Sequence, residues 1–490
     1  MRLFKPNSPS ESPQGMAVPI SKKVMFKKAV FKTATFTPPF LTSSFLQPHL
    51  LETSLPKTLG HQHPYLANLT KKYPVLSGNP LSVAQTQALG KQLDALQADI
   101  MADLGETDAR YIYRIYATVV YSELLGRALI MAAAACTNKL LRQSVLVLGI
   151  GVLTLSKILN NMELGHNVLH GQYDWMQDKH LNSRSFDWDH ICPAPLWQHS
   201  HNFLHHTYTN ILGRDHDVGY HLIRVTDEQL WTPSDRYNPL KTLLIAIGFD
   251  WAIGFHDLQI SIEEYAEDDN LPSIMRSKSR ALMANIVRQV GKDYLAIPLL
   301  AALLSGRRGI GYTLIGNLSA NTLRNLWTWA VIFCGHFTEQ AHIFTHLDND
   351  ESRGDWYVRQ LLGSSNISGG RLFHTLTGNL SHQIEHHMFP DMPANRYASI
   401  APRVKALCLQ YGLPYNTGSF TNQFSQVIRR IYHYSRPNQM ATGKPLGQST
   451  GATARPSTTA TKRRYRFISA RRQRWLDKLP EALAQALAYI

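Results

Sequence analysis

Three clusters of histidines carry the clearest chemical signal in the sequence. Each cluster contains two histidines spaced four positions apart, and two clusters add an adjacent histidine: His166 and His170; His201, His205 and His206; His382, His386 and His387. On an α-helix, residues i and i+4 project from the same face, so each spaced pair would direct two imidazoles to one point. The extra His206 and His387 are rotated by about 100° on such a helix and can reach a second ion. The spacing therefore predicts a metal centre.

The number of imidazoles indicates how many ions this centre holds. Eight histidines exceed what one tetrahedral or octahedral ion needs once positions for a reactant stay open, so two metals is the economical count. Imidazole binds iron, zinc, copper and nickel, so the ligands alone do not select the element. A lone His-x-x-x-His pair arises by chance, whereas three clusters that return to one side of a membrane make coincidence hard to sustain.

Long apolar stretches are the elements that must position these histidines. The charged share of 17% lies below the quarter or so that is typical of soluble proteins, which favours a membrane protein. Residues 111–135 and 144–160 predict one hairpin of transmembrane helices, and residues 284–305 and 310–335, joined at SGRRG, predict a second. The predicted fold is an all-α membrane protein, with about four transmembrane helices in two hairpins and a cytosolic helical cap that carries the histidine clusters.

Two further helices are predicted outside the hairpins. Residues 80–104 place apolar side chains at helical spacing, with Ser82 as a candidate N-cap, and predict an amphipathic helix before the membrane segments. Residues 240–256 are apolar but contain an aspartate and two glycines, which favours a helix lying at the membrane interface over a full span.

The net charge of +15 is concentrated in the two tails. Residues 1–60 carry +6 and residues 436–490 carry +9, so the body between them is neutral. A nucleic-acid-binding protein normally builds its basic surface into a folded domain, so this distribution argues against nucleic acid. It fits anionic lipid headgroups, or solvated tails without a partner. Two hairpins place both tails and the histidine clusters on one side, which the positive-inside tendency makes cytoplasmic.

Composition divides the chain into three predicted segments. Residues 1–60 form a basic, flexible N-terminal segment without the features of a secretory signal. Residues 61–435 form the membrane domain with its cytosolic cap. Residues 436–490 form a disordered basic tail that begins rich in Pro, Gly, Ser and Thr and ends in a short amphipathic helix.

The sequence around the histidine clusters resembles the membrane-bound fatty-acid desaturases. The matching segments are GHNVLHGQYDWM, PLWQHSHNFLHHTYTN and NLSHQIEHHMFPDMPANRY, and the resemblance covers about residues 110–410. It implies a non-haem centre of two iron ions, held by histidines at the cytosolic ends of four transmembrane helices. It also implies an O₂-dependent oxidoreductase that introduces a double bond into a long acyl chain, carried by CoA or by a lipid.

The family pattern carries over to particular histidines of this chain. The resemblance makes seven of them metal ligands: His166, His170, His201, His205, His206, His386 and His387. The third cluster is ambiguous, because many members have His or Gln three residues before the paired histidines, which here is Gln383. Helical geometry would place His382 beside His386, so we expect His382 to be the ligand.

Other residues near the clusters are candidates for supporting roles. His336, at the end of the last apolar stretch, resembles a further ligand of the family, and His342 and His346 are weaker candidates. Several polar or aromatic residues are candidates for orienting ligands or lining a substrate channel, with ordinary loop or core roles as the alternative: Asn167, Asn202, Asn379, Asp174, Trp175, Asp215, Asp217 and Glu385. Five tryptophans are candidates for the wall of a tunnel or for an interfacial belt: Trp188, Trp197, Trp251, Trp327 and Trp329.

The chain lacks the motifs of a built-in electron source. It has no Gly-rich dinucleotide fingerprint and no His-Pro-Gly-Gly haem motif, and its four cysteines are too far apart for an iron–sulfur cluster. Electrons are therefore expected from a separate protein, either a flavin or ferredoxin-type reductase or a small haem protein of the cytochrome b5 type.

Two other functions compete with desaturation. A membrane acyl or alkane hydroxylase uses a similar histidine scaffold but returns oxygen to the substrate, and only the resemblance of the HGQYDWM and HQIEHH segments favours desaturation over it. A non-enzymatic membrane metal-binding protein, such as a transporter, would place carboxylates or methionines within the spans. Here the histidine clusters lie at the ends of the apolar stretches instead.

Overall fold

The computed structural model describes residues 73–76, 78–266, 268–345 and 351–437, and most of these residues are helical. The predicted segment 1–60 and the tail from residue 438 onward lie outside the described residues. The helices are α1 Val83–Ala102, α2 Glu106–Ala135, α3 Lys139–Ile158, α4 Ala194–Trp197, α5 Asn238–Ile247, α6 Phe249–Glu264, α7 Leu271–Val290, α8 Ile297–His336, α9 Arg353–Gly363, α10 Arg371–Leu376, α11 Gln383–Met388, α12 Tyr397–Gln410 and α13 Phe420–Tyr434.

Four short strands form two parallel pairs that the sequence did not predict. They are β1 Val75–Leu76, β2 Ile343–Phe344, β3 Asn366–Ser368 and β4 Thr417–Ser419. In one pair Val75 lies opposite Ile343, and in the other Ile367 lies opposite Gly418. Each pair brings together distant parts of the chain around the third histidine cluster.

The first predicted hairpin is present as α2 and α3. Two described helices are long and apolar enough to cross a membrane, Glu106–Ala135 and Lys139–Leu169, the second being α3 with its continuation. The two helices pack closely because glycines lie at their contact: a Cβ added at Gly126 would lie 2.6 Å from the backbone nitrogen of Leu153. Small residues at such crossings let helix backbones approach within a membrane.

The second predicted hairpin is helical, but its helices do not meet the length and apolarity of a span among the described residues. Helix α8 is broken at Ser305 and Gly306, within the predicted SGRRG turn, where Gly306 has a φ of 56°. Charged side chains of this region point into the protein. Asp293 bonds to both Arg127 of α2 (2.8 Å) and Lys157 of α3 (2.9 Å). Among the described residues, two helices are therefore candidate spans, or three if a bent helix pair forms one span, and four spans are not shown.

That bent pair is the segment predicted as one interfacial helix over residues 240–256. The structure breaks it at Gly248 into α5 and α6, and the bend between Pro233–Ile247 and Phe249–Glu264 is 104°. The single-helix prediction was wrong because apolar periodicity does not report a change in chain direction at a glycine.

The predicted helix over residues 80–104 is confirmed as α1. Its N-cap is Ser82, whose side chain accepts a hydrogen bond from the backbone N–H of Gln85, while the backbone N–H of Ser82 donates to Oε1 of Gln85. Helix α1 contributes to the apolar core beneath the third histidine cluster. Buried members of this core come from α1, α9, α11 and α12: Leu89, Leu93, Tyr357, Leu361, Ile384, Met388, Tyr397, Ile400 and Val404.

Candidate metal centre

The first histidine cluster stands at the end of the long membrane helix. Helix α3 continues through a π-helical stretch, Leu159–His166, and one last turn, Asn167–Leu169. The rings of His166 and His170 lie 4.6 Å apart between centroids. Helix α3 and its continuation therefore deliver both imidazoles to one point.

The second cluster is also π-helical, which the sequence did not predict. Helix α4 continues through Gln198–His205 and a final turn, His206–Tyr208. In a π-helix the backbone bonds run from i to i+5, and such stretches often occur at functional sites. His201 consequently lies close to both later histidines of its cluster, with ring centroids 5.2 Å from His205 and 5.0 Å from His206.

The third cluster corrects the expected position of His382. Helix α11 begins only at Gln383, and His382 has non-helical backbone angles, φ −104° and ψ 55°. The i, i+4 argument for His382 and His386 therefore fails, and no converging group of ligand atoms among the described residues includes His382. Its ring packs 4.5 Å from that of His374 instead. Gln383 faces the other way, with its amide nitrogen 2.9 Å from Nε2 of His336.

The other eight predicted ligands converge. Their nitrogens fall into groups that share members: His166, His170, His201 and His386; His205, His336 and His387; and His206, His386 and His387. The closest approaches are 3.3 Å between Nε2 of His166 and Nε2 of His201, and 3.0 Å between Nε2 of His336 and Nε2 of His387. The third group shares His386 with the first and His387 with the second, so four separate parts of the chain form two neighbouring groups of inward-facing nitrogens that His206 adjoins.

The donor set fits metal ions ligated by imidazole. Nε2 of His170, both ring nitrogens of His206 and Nε2 of His386 are buried without a hydrogen-bond partner among the described residues. Burial, reinforced by repulsion from neighbouring rings, lowers the pKa of His206, His386 and His387 well below the ordinary value. The rings are therefore neutral at physiological pH, as ligands must be. Unpaired buried nitrogens are costly, and a bound metal would satisfy them.

Hydrogen bonds on the outer side fix the direction of the rings. Each of four histidines has its Nδ1 against an oxygen: His166 with Asn167 (3.0 Å), His205 with Asp215 (3.0 Å), His386 with the hydroxyl of Tyr397 (3.3 Å) and His387 with Gln360 (3.0 Å). An oxygen acceptor holds the proton on Nδ1 and leaves Nε2 free to bind a metal. Gln360 lies 27 residues before His387 and Tyr397 lies 11 residues after His386, and neither was predicted to contact a ligand ring.

Asp215 supplies the one carboxylate among these four contacts. Its carboxylate accepts from Nδ1 of His205 and from the backbone nitrogen of Asn210, and both side chains of the pair are almost fully buried. Burial by itself lowers the pKa of His205, but the charge and hydrogen bond of Asp215 outweigh it and raise that pKa. Of the polar candidates near the clusters, Asn167 and Asp215 therefore form hydrogen bonds with a ligand ring, and Asp217 lies 3.7 Å from Nδ1 of His205.

Other candidates lie elsewhere. Asn379 donates to the carboxylate of Glu163, and Asn202 donates to the carbonyl oxygen of Leu169, so each amide links two segments that carry or adjoin the clusters. His342 is buried against the carbonyl oxygen of Leu362, outside the converging groups, and His346 lies outside the described residues.

A cavity opens beside the histidine groups. Its wall includes ligand candidates and a larger apolar surface: His166, His201, His205, His336, Trp188, Trp197, Tyr220, Phe249, Ile253, Ile332 and Phe337. Trp188 and Trp197 are thus the two tryptophans that line it. Trp327 and Trp329 pack in the protein against Phe420 and Phe424, and Trp251 is partly exposed.

Comparison with known proteins identifies the family to which this histidine-rich membrane protein belongs. The family model described as fatty acid desaturase matches residues 143–419, a range that contains every converging histidine. The chain belongs to the fatty acid desaturase family. This assignment makes it an oxidoreductase and confirms the resemblance seen in the sequence.

Individual relatives of this desaturase differ in their substrates. The NADPH-dependent stearoyl-CoA 9-desaturase of Mycobacterium tuberculosis is 41% identical over 360 residues, which cover 73% of this chain and 82% of that protein. The sn-1 linoleoyl-lipid 6-desaturase of Synechocystis is 25% identical over 279 residues, 55% of this chain and 75% of that one. Fatty acid desaturase 3 of Bos taurus is 36% identical over 94 residues, 19% and 21% of the two chains.

Proposed function

We propose that this desaturase introduces a double bond at position 9 of a long saturated acyl chain carried by CoA. The observation that carries the proposal is the apolar cavity that opens onto two adjoining groups of histidine nitrogens. The higher identity and fuller coverage of the stearoyl-CoA relative favour CoA over a lipid headgroup.

The two groups would hold two iron ions. One would take its ligands from His166, His170, His201 and His386, the other from His205, His336 and His387, with His206 between them. When bound, the irons supply with O₂ the oxidising power that removes hydrogen from an unactivated methylene, which side chains cannot do. The aromatic wall excludes water and holds the chain, and this positioning decides which carbons react.

Membrane topology follows the charge distribution. The proposal keeps four spans in two hairpins, α2 with α3 and residues 284–305 with 310–335. Charges of the second hairpin pair with neighbouring helices, Asp293 with Arg127 of α2 and Arg324 with Asp250 of α6. Both termini and the histidine groups would face the cytoplasm, because the tails carry the net positive charge of the chain. The segments 1–60, 61–435 and 436–490 remain the proposed division of the chain.

Electrons would originate from NADPH and reach the irons through a separate protein. The relative from Mycobacterium tuberculosis is named as NADPH-dependent. This chain has no dinucleotide fingerprint of its own, so a flavin or ferredoxin-type reductase, or a cytochrome b5-like protein, would deliver them.

The test is analysis of products by mass spectrometry. Full-length protein in detergent is loaded with iron anaerobically and then given stearoyl-CoA, O₂, NADPH and a competent reductase. We expect about two irons per chain and an oleoyl product, both lost in His386→Ala. A predominantly hydroxylated product would replace desaturation with the rival reaction. Turnover of an acyl-lipid but not of stearoyl-CoA would overturn the CoA assignment.

A further inference from the structure

Three metal-binding side chains converge on the protein surface, apart from the groups proposed to hold iron. They are His216 and His221, in the segment after α4, and Glu263, near the end of α6. Nδ1 of His216 lies 3.0 Å from Nε2 of His221 and 3.6 Å from a carboxylate oxygen of Glu263. Nδ1 of His221 lies 3.8 Å from the other oxygen of Glu263.

We propose that these three side chains form a second metal site, for a divalent ion of the zinc class. Zinc bonds of about 2.0–2.1 Å in a tetrahedron separate neighbouring ligand atoms by about 3.3 Å. The 3.0 and 3.6 Å separations around Nδ1 of His216 bracket that spacing. Two histidines and one glutamate are also a set that zinc adopts when water completes the coordination.

The site lies at the surface and is open to water, with its three side chains partly covered. The side chains of His216, His221 and Glu263 are 21%, 29% and 38% exposed, so an ion and its water can enter. The rings of His216 and His221 lie 5.2 Å apart and nearly parallel, at 23°. His216, His221 and Glu263 of α6 are therefore already held at distances that suit three ligands of one ion.

The backbone adopts an unusual conformation to present His221. Gly219, Tyr220 and His221 have φ angles of 72°, 50° and 57°, in the left-handed region that residues other than glycine rarely adopt. Two consecutive non-glycine residues in this region cost free energy, and such conformations persist where other contacts hold them. An ion bound to His216, His221 and Glu263 would supply such a contact.

An ion at this site would hold the segment around Asp215, which contacts a proposed iron ligand, against helix α6. His216 stands between Asp215, which accepts from His205, and Asp217, which lies 3.2 Å from Nε2 of His256 on α6. Glu263 belongs to the same helix. An ion joining His216 to Glu263 would therefore brace the segment of Asp215 against α6.

The experiment measures zinc in the full-length, iron-loaded protein in detergent by equilibrium dialysis against ⁶⁵Zn²⁺. We expect one zinc per chain beyond any that enters the iron site. This zinc should be lost in both His221→Ala and Glu263→Gln, the second being a nearly isosteric change, while their iron content stays that of the unmodified protein. Zinc should also raise the melting temperature of the unmodified protein and not that of either variant.

A neighbouring pair provides the matched control. His199 contacts Glu264 at 2.8 Å on the same helix end but lies outside the three-residue group, so His199→Ala should keep the zinc. His386→Ala, which removes an iron ligand, should keep it too, and this separates the surface site from the proposed iron centre. Retention of zinc in Glu263→Gln and His221→Ala, or equal loss in His199→Ala, would overturn the proposal.

Discussion

At the residue scale, the proposed iron site depends on side chains that never touch a metal. Asn167, Asp215, Gln360 and Tyr397 each place an oxygen against Nδ1 of a ligand ring. They fix both the proton and the direction of the ring, and groups in this position are commonly worth a factor of 10–100 or so in metal affinity.

Replacing Asp215 with asparagine tests this support. Asp215→Asn keeps the size of the side chain but removes the nearer of two carboxylate charges beside His205, so we expect iron affinity to fall by roughly 10- to 100-fold with the fold intact. Iron content across a chelator titration measures the effect. Asp174→Asn is the control, because Asp174 lies four residues after His170 but bonds to Ser183. Equal losses in the two variants would show that Asp215 has no special role.

A second variant separates the two residues that begin the third cluster. Since His382 packs against His374 and its backbone is not helical, His382→Ala should keep nearly all of its iron, whereas His386→Ala should lose it. Metal analysis and circular dichroism on both proteins provide the measurement. Loss of iron in His382→Ala with retained helicity would restore the ligand role first expected for this residue.

The histidines show what sequence can establish about a site. The pairs His205–His206 and His386–His387 were identified by their spacing and by resemblance, and the structure brings them together. The position of His382 was missed because the helix begins only at Gln383, so the i, i+4 relation between His382 and His386 does not apply. Gln360 and Tyr397 were missed because tertiary packing alone brings them to the rings.

At the element scale, the α2–α3 hairpin depends on close backbone approach. Gly126 has no room for a methyl group, since a Cβ would lie 2.6 Å from the nitrogen of Leu153, whereas nothing lies within 4 Å of a Cβ at Gly151 on α3. We expect Gly126→Ala to lower the free energy of unfolding by about 1–3 kcal/mol. Gly151→Ala should be neutral or slightly stabilising. Unfolding by SDS in mixed micelles measures both, and equal stability of the two variants would contradict this packing.

The helices α2 and α3 were predicted correctly because a long apolar stretch marks each of them. The apolar stretches 111–135 and 144–160 fall within α2 and within α3 with its continuation, because burial in lipid requires uninterrupted apolar helices. The π-helical stretches and the bend at Gly248 were not predicted. The π-helical stretches change the backbone hydrogen bonds and the bend changes the direction of the chain, but neither changes the apolar pattern from which helices are predicted.

At the scale of the whole molecule, the body of the enzyme should not need the basic tail. Removal of the residues after Pro437 should leave iron content and turnover close to those of the full chain, because tail composition cannot bury a core. The cut must not come earlier, since Arg224 bonds to the carbonyl oxygens of Tyr434 and Arg436.

A shorter chain is the contrasting control for this truncation. Ending at Ser419 removes α13, whose Val427 and Ile431 are buried and whose Arg430 bonds to the carbonyl oxygen of Val225, so this protein should lose iron and aggregate. Size-exclusion chromatography with metal analysis compares the two truncations. Loss of iron in the longer one would place the tail within the catalytic body.

The helix that carries His166 and His170 also extends through the apolar hairpin, so its tilt is coupled to the thickness of the lipid around it. Bilayers with shorter or more unsaturated chains are thinner, and the mismatch changes the angle of a long apolar helix. We expect the iron content of the protein in nanodiscs to change with the chain length of the nanodisc lipid. Identical iron content across a series of lipid chain lengths would contradict this coupling. The lipids that this enzyme helps to make would then act on the position of its own first histidine pair.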